Sequence, residues 1–173
     1  MRVALLLIPL LMTMVQTPMT ADATDARVPS NPTGERLHAL FDAEWERTLR
    51  ENPTWASTLG DKRYGALWDD ISLEAIERAH QADRETLRQL DAFDLDELTP
   101  ADRIHYRLFR CQYELRVAGH PFEWHLVPLN QRGGFQDLGD LADALSFDTV
   151  RDYENWLARM RAFPEHLEQT LTL

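Results

Sequence analysis

The chain has 173 residues and a formal net charge of -11, with 18 Lys and Arg against 29 Asp and Glu. An acidic balance without a basic cluster excludes nucleic acid and anionic lipid as partners, since both need a patch of cations to displace counterions. The single cysteine, Cys111, excludes an internal disulfide.

Met1-Arg2 precedes an apolar run from Val3 to Val15 that contains Pro9. One cation ahead of a short apolar stretch is the pattern of a secretory leader, and the run falls short of the ~20 residues a membrane-spanning helix needs. Small residues at Ala21 and Ala23 place cleavage after Ala23, with Ala26 as the alternative. Residues 1–23 are thus expected to be a signal peptide, and the chain to be periplasmic or secreted without stable membrane insertion. No cysteine lies near the cleavage point to carry a lipid anchor.

Residues 24–34, with Pro29, Asn31, Pro32 and Gly34, read as a flexible linker. The globular part is expected over 35–173. From Glu35 to Arg50, Leu37, Leu40, Phe41, Trp45 and Leu49 recur at helical steps and predict one buried face. Asn52-Pro53 ends that helix, and Pro53 opens a short second one that Gly60 closes. Ser72 is a suitable cap for a helix from Leu73 to Ala92 bearing Ile76, Ala79, Leu87 and Leu90; His80 and Asp83 share its stripe and are expected to pair.

Thr99-Pro100-Ala101-Asp102 is a strong helix start: a capping hydroxyl, proline at the first position and an acid where amides are exposed. The helix it begins, to about Ala118, carries two apolar sets roughly half a turn apart. Ile104, Leu108, Cys111 and Leu115 form one, with Cys111 expected in the core. Tyr106, Phe109, Tyr113 and Val117 form the other, expected to face outward and to promote self-association. Arg103, Arg107, Arg110 and Glu114 make a polar ridge between them.

Gly119-His120-Pro121 stops this helix, and Phe122 to Pro128 is expected to cross the domain in extended form. Asn130, Gln131, Arg132, Gly133 and Gly134 form a loop in which paired glycines permit close approach and amide side chains can bind a peptide backbone; this loop is expected to line a cleft. Helix resumes near Leu138, Leu141 and Leu145. Thr149-Val-Arg-Asp152 caps a helix with Tyr153, Trp156, Leu157, Met160 and Phe163 on one side, and Pro164 is expected to open a further helix bearing Leu167 and Leu171. The fold class is therefore all-α.

His120 and His125 are the nearest thing to a metal cluster, but Pro121 prevents a regular helix from stacking them one turn apart, and an ordinary crossing segment is the expected reading. No catalytic or metal-binding residue is assigned.

Four segments stand out in combination: Asn52-Pro-Thr-Trp-Ala-Ser-Thr-Leu-Gly-Asp-Lys-Arg-Tyr64, Leu98-Thr-Pro-Ala-Asp-Arg-Ile-His-Tyr106, Pro128-Leu-Asn-Gln-Arg-Gly-Gly134 and Tyr153-Glu-Asn-Trp-Leu-Ala-Arg-Met-Arg-Ala-Phe-Pro164. In that order they resemble the N-terminal part of the bacterial family catalogued as domain of unknown function 885, over roughly Leu37 to Leu173. The resemblance implies a long, mostly helical, exported protein similar to zinc metallopeptidases, in which a His-Glu-x-x-His helix in the C-terminal part binds zinc. None of the six histidines sits in that pattern, so zinc is implied only for the full-length family. The implied role is the non-catalytic N-terminal segment of a zinc-dependent peptide hydrolase, forming part of the substrate-cleft scaffold. Its implied partners are the missing C-terminal half and a peptide substrate. The alternative is a self-contained periplasmic helical binding or adaptor module.

Overall fold

The computed structural model describes residues 31–128, 134 and 138–173. Among these the regular structure is helical, with six α-helices joined by loops and single 3₁₀ turns and no strand. The expected leader lies outside the described residues.

The first helix, α1 (Pro32–Glu51), begins earlier than the linker reading allowed. Asn31 accepts hydrogen bonds from the backbone amides of Thr33 and Gly34 at 3.1 Å each, and Pro32 occupies the first turn, where a missing N–H costs nothing. Residues 31–34 are thus a cap and first turn. Asn31 Nδ2 donates to the Glu97 carbonyl and Thr33 Oγ1 to the Glu97 carboxylate, which fixes this start against a distant loop. Gly34 suits the approach, since a Cβ there would lie 3.1 Å from the Asp102 carboxylate, which would have to give way by a few tenths of an ångström.

Asn52 separates α1 from α2 (Pro53–Thr58). The latter ends as expected at Gly60, whose φ of 88° is left-handed. The Gly60 amide bonds to the Ser57 carbonyl and the Asp61 amide to that of Ala56, the paired bonds of a Schellman ending. Ser72 caps α3 (Leu73–Leu90), and Thr99 caps α4 (Pro100–Gly119) by accepting from the Asp102 amide.

The core forms where α1, α3 and α4 meet, around buried Leu37, Leu90, Leu98 and Tyr106 with Leu40, Phe41, Leu87 and Phe109 packed against them. The two faces of α4 are reversed from expectation. Tyr106 and Tyr113 are buried, whereas Ile104, Leu108 and Leu115 are 59%, 66% and 68% exposed and Cys111 lies outside the core. Aromatic rings bury more area than aliphatic chains, and both hydroxyls find partners inside: Tyr106 donates to the Leu90 carbonyl at 3.1 Å and Tyr113 to Glu44 at 2.7 Å.

Residues expected to be extended instead form two single turns, His120–Phe122 and Trp124–Leu126, joined by Glu123 in the left-handed region. After α5 (Leu138–Ala144) comes α6 (Val150–Thr172), opened by a reciprocal capping box between Thr149 and Asp152. Pro164 begins no new helix and lies inside α6. Phe163 and His166, on either side of it, both pack on Trp68, so one tertiary contact holds the two halves in line despite the missing donor.

Candidate functional site: a cleft floored by Trp68–Ile71

Among the described residues a cleft of about 870 Å³ opens between α2, α3 and α6. Its floor is the segment Trp68–Ile71, read from the sequence only as a loop before α3. The four residues of this strap are tied to three helices. Trp68 stacks on His166 with ring centroids 4.9 Å apart, and its indole N–H donates to the Arg159 carbonyl at 2.7 Å. Asp69 accepts from the Thr54 amide at 2.9 Å and the Thr54 hydroxyl at 2.6 Å, capping α2 from outside. Asp70 accepts from Arg78 of α3, and Gln169 of α6 bridges Asp70 and the Ile71 amide. The strap therefore holds α2, α3 and α6 in position around the cleft.

The walls combine apolar and charged groups. Ile71, Ile76, Ala79 and Phe163 supply apolar surface, and Arg50, Glu51 and Arg78 supply charge. His125 and Gly134 also border it, which places Gly134 of the expected cleft-lining loop at its edge. Asn130, Gln131, Arg132 and Gly133 lie outside the described residues.

Behind the floor, Arg159 is fully buried. One terminal nitrogen donates to Ser57 Oγ at 2.8 Å and to the Tyr64 carbonyl at 3.0 Å, pinning α6 to α2 and to the turn that follows it. Its Nε and other terminal nitrogen have no partner among the described residues. Burial accordingly holds its pKa below the ordinary range, partly offset by the charge of Asp69. His166 is likewise held below its usual value, first by burial, against the opposing pull of Asp69.

A second polar cluster links α1, α3 and α4 and reaches the cleft wall at Glu51. Arg47 donates to Glu44, Glu51 and, at 2.5 Å, to Asp83. Burial alone would push the Glu44 carboxyl up, yet Arg47 and Tyr113 together hold it below its usual range. The expected His80–Asp83 pair is replaced by these contacts. A charge-assisted bond to arginine is stronger than one to a neutral imidazole, and Asp83 turns toward α1. His80 instead stacks on His120, with centroids 3.7 Å apart and planes 11° from parallel.

That stack also bears on metal binding. Imidazole lone pairs lie in the ring plane, so two parallel stacked rings do not aim at one ion, and the His125 ring centroid is 6.5 Å from that of His120. Among the described residues no three His, Cys, Asp or Glu side chains converge as a metal site. These residues do not fit the implied zinc, and no chemical step is routed through it. No described helix is long and apolar enough to cross a membrane.

Sequence reasoning missed both the strap and Arg159. A signal for the strap was present in Trp68-Asp69-Asp70, an aromatic and two carboxylates next to the Ser72 cap, where caps for neighbouring helices are expected.

The profile of the family described as "Bacterial protein of unknown function (DUF885)" matches residues 53–173. No curated protein and no solved structure matches the chain.

Proposed function

The chain belongs to the DUF885 family of bacterial proteins, and from that premise we propose that it is the non-catalytic N-terminal scaffold of an exported peptide hydrolase, holding substrate in the cleft above Trp68. The observation that carries this reading is the cleft itself. Its volume of about 870 Å³ lies in the range of ligand sites. Ile71, Ile76 and Phe163 offer seats for apolar side chains, and Arg50 and Arg78 offer donors to a peptide's carbonyls and terminal carboxylate. The carboxylates of its floor are engaged in holding the walls: Asp69 accepts from Thr54 of α2, and Asp70 from Arg78 of α3 and Gln169 of α6. In this reading the zinc and the attacking water belong to the C-terminal half, and the apolar run Val3–Val15 directs export.

The test is binding of a library of short unstructured peptides to the full chain, followed by thermal shift and calorimetry. Ala79→Trp places an indole in the cleft from the α3 wall. We expect peptide binding by the unsubstituted chain and at least a tenfold loss, ~1.4 kcal/mol, in the variant with its melting temperature retained. Absence of binding, or binding that Ala79→Trp leaves intact, contradicts the proposal. The second reading, an adaptor module, is favoured by the exposed stripe of α4; it is the reading left if peptides bind there instead.

A further inference from the structure

We propose that the outer face of α4 pairs with the same face of a second copy of this chain, the two helices running antiparallel. Ile104, Leu108, Cys111 and Leu115 follow one another at steps of four, three and four residues, the spacing of a coiled-coil seam. All four are exposed, while Tyr106 and Tyr113 on the other side are anchored inside the fold by their hydroxyl bonds. The seam is therefore held outward by a helix that cannot roll to hide it.

The charges beside the seam select its occupant. A two-fold axis crossing α4 between Leu108 and Cys111 sets Ile104 against Leu115 of the second copy and Leu108 against its Cys111. The same register brings Arg107 beside Glu114 of the second copy, and symmetry repeats that pair on the other side. His105 then faces Gln112, two uncharged polar groups when the imidazole is neutral. In a parallel arrangement Arg107 would meet Gln112 and no opposite charges would pair, so the pattern specifies the antiparallel form. Arg110 holds Glu114 through Oε1 at 2.8 Å, which fixes the carboxylate along the helix edge. A seam of about three turns, roughly 16 Å long, suits a weak, concentration-dependent dimer.

Sedimentation velocity of the full chain over a concentration series at low salt tests this. The unsubstituted chain should shift from monomer to dimer. Arg107→Glu sets two carboxylates together and should weaken the dimer about tenfold, as Glu114→Arg should by setting two cations together; the double reversal should restore it. Both positions are exposed, so circular dichroism should show an unchanged fold. Independently, Leu108→Cys places a thiol against Cys111 of the second copy; mild oxidation should give a covalent dimer that Cys111→Ser abolishes. A chain that stays monomeric throughout, a dimer indifferent to both single reversals, or a double reversal that fails to restore pairing overturns the proposal. Peptide binding in the cleft is unaffected by any of these outcomes.

Discussion

At the scale of single residues, the most consequential group is Arg47. Its guanidinium is almost wholly enclosed and satisfies carboxylates from α1 and α3, while Glu44 in turn accepts from Tyr113 of α4. Arg47→Ala leaves Glu44 enclosed without its counter-charge and Asp83 with only Arg116, 3.7 Å away, a loss of about 3 kcal/mol in urea unfolding; a loss below about 1 kcal/mol contradicts this role for Arg47. His166 carries a pH signature. Because burial holds its folded-state pKa below the ordinary value of 6.5, the unfolded chain binds more protons between the two values. The stability it contributes is full above the ordinary value and lost as pH falls through the depressed one. Between about pH 7 and about pH 5 the melting temperature should fall less steeply in His166→Gln than in the unsubstituted chain, and equal slopes would refute the assignment. The caps at Ser72, Thr99 and Thr149 were legible because a cap is written within four consecutive residues. Arg47 was not, since its Asp83 partner is 36 residues away and the choice between His80 and Arg47 is made only by packing.

At the scale of elements, helix starts and stops were more legible than helix faces. Asn31-Pro32 is the same kind of start signal as Thr99-Pro100, yet the surrounding prolines and glycine masked it as a linker. For α4 the spacing revealed two apolar sets, and nothing local ranks them. The ranking comes from what α1 and α3 present, namely the Leu90 carbonyl and the Glu44 carboxylate waiting for two tyrosine hydroxyls. Pro164 misled for a related reason, because the contact that carries α6 through it involves Trp68, far away in sequence. The end of α2 was read correctly and gives a direct test. Gly60 holds a φ of 88° that side chains rarely adopt, so Gly60→Ala should cost about 1 kcal/mol by thermal or urea unfolding, and an unchanged stability would show that the turn relaxes.

At the scale of the whole molecule, a small core at α1, α3 and α4 supports two surfaces of different character. The cleft above Trp68–Ile71 is built by long-range polar ties, and the outer side of α4 is an apolar stripe left in solvent. Of the loop 130–134, which its glycines and amides marked as an expected cleft lining, only Gly134 is among the described residues, and it borders the cleft. The floor was illegible, because Trp68, Asp69 and Asp70 acquire their meaning only from Arg159, Thr54 and Gln169. We propose that this cleft receives peptide. Amide and indole NMR spectra of the full chain during peptide titration test it most directly. Signals of Trp68, Ile71, Ile76 and His166 should move together along one binding curve, while those of Arg107, Leu108 and Leu115 stay in place; stationary cleft signals, or shifts confined to the outer face of α4, would contradict it.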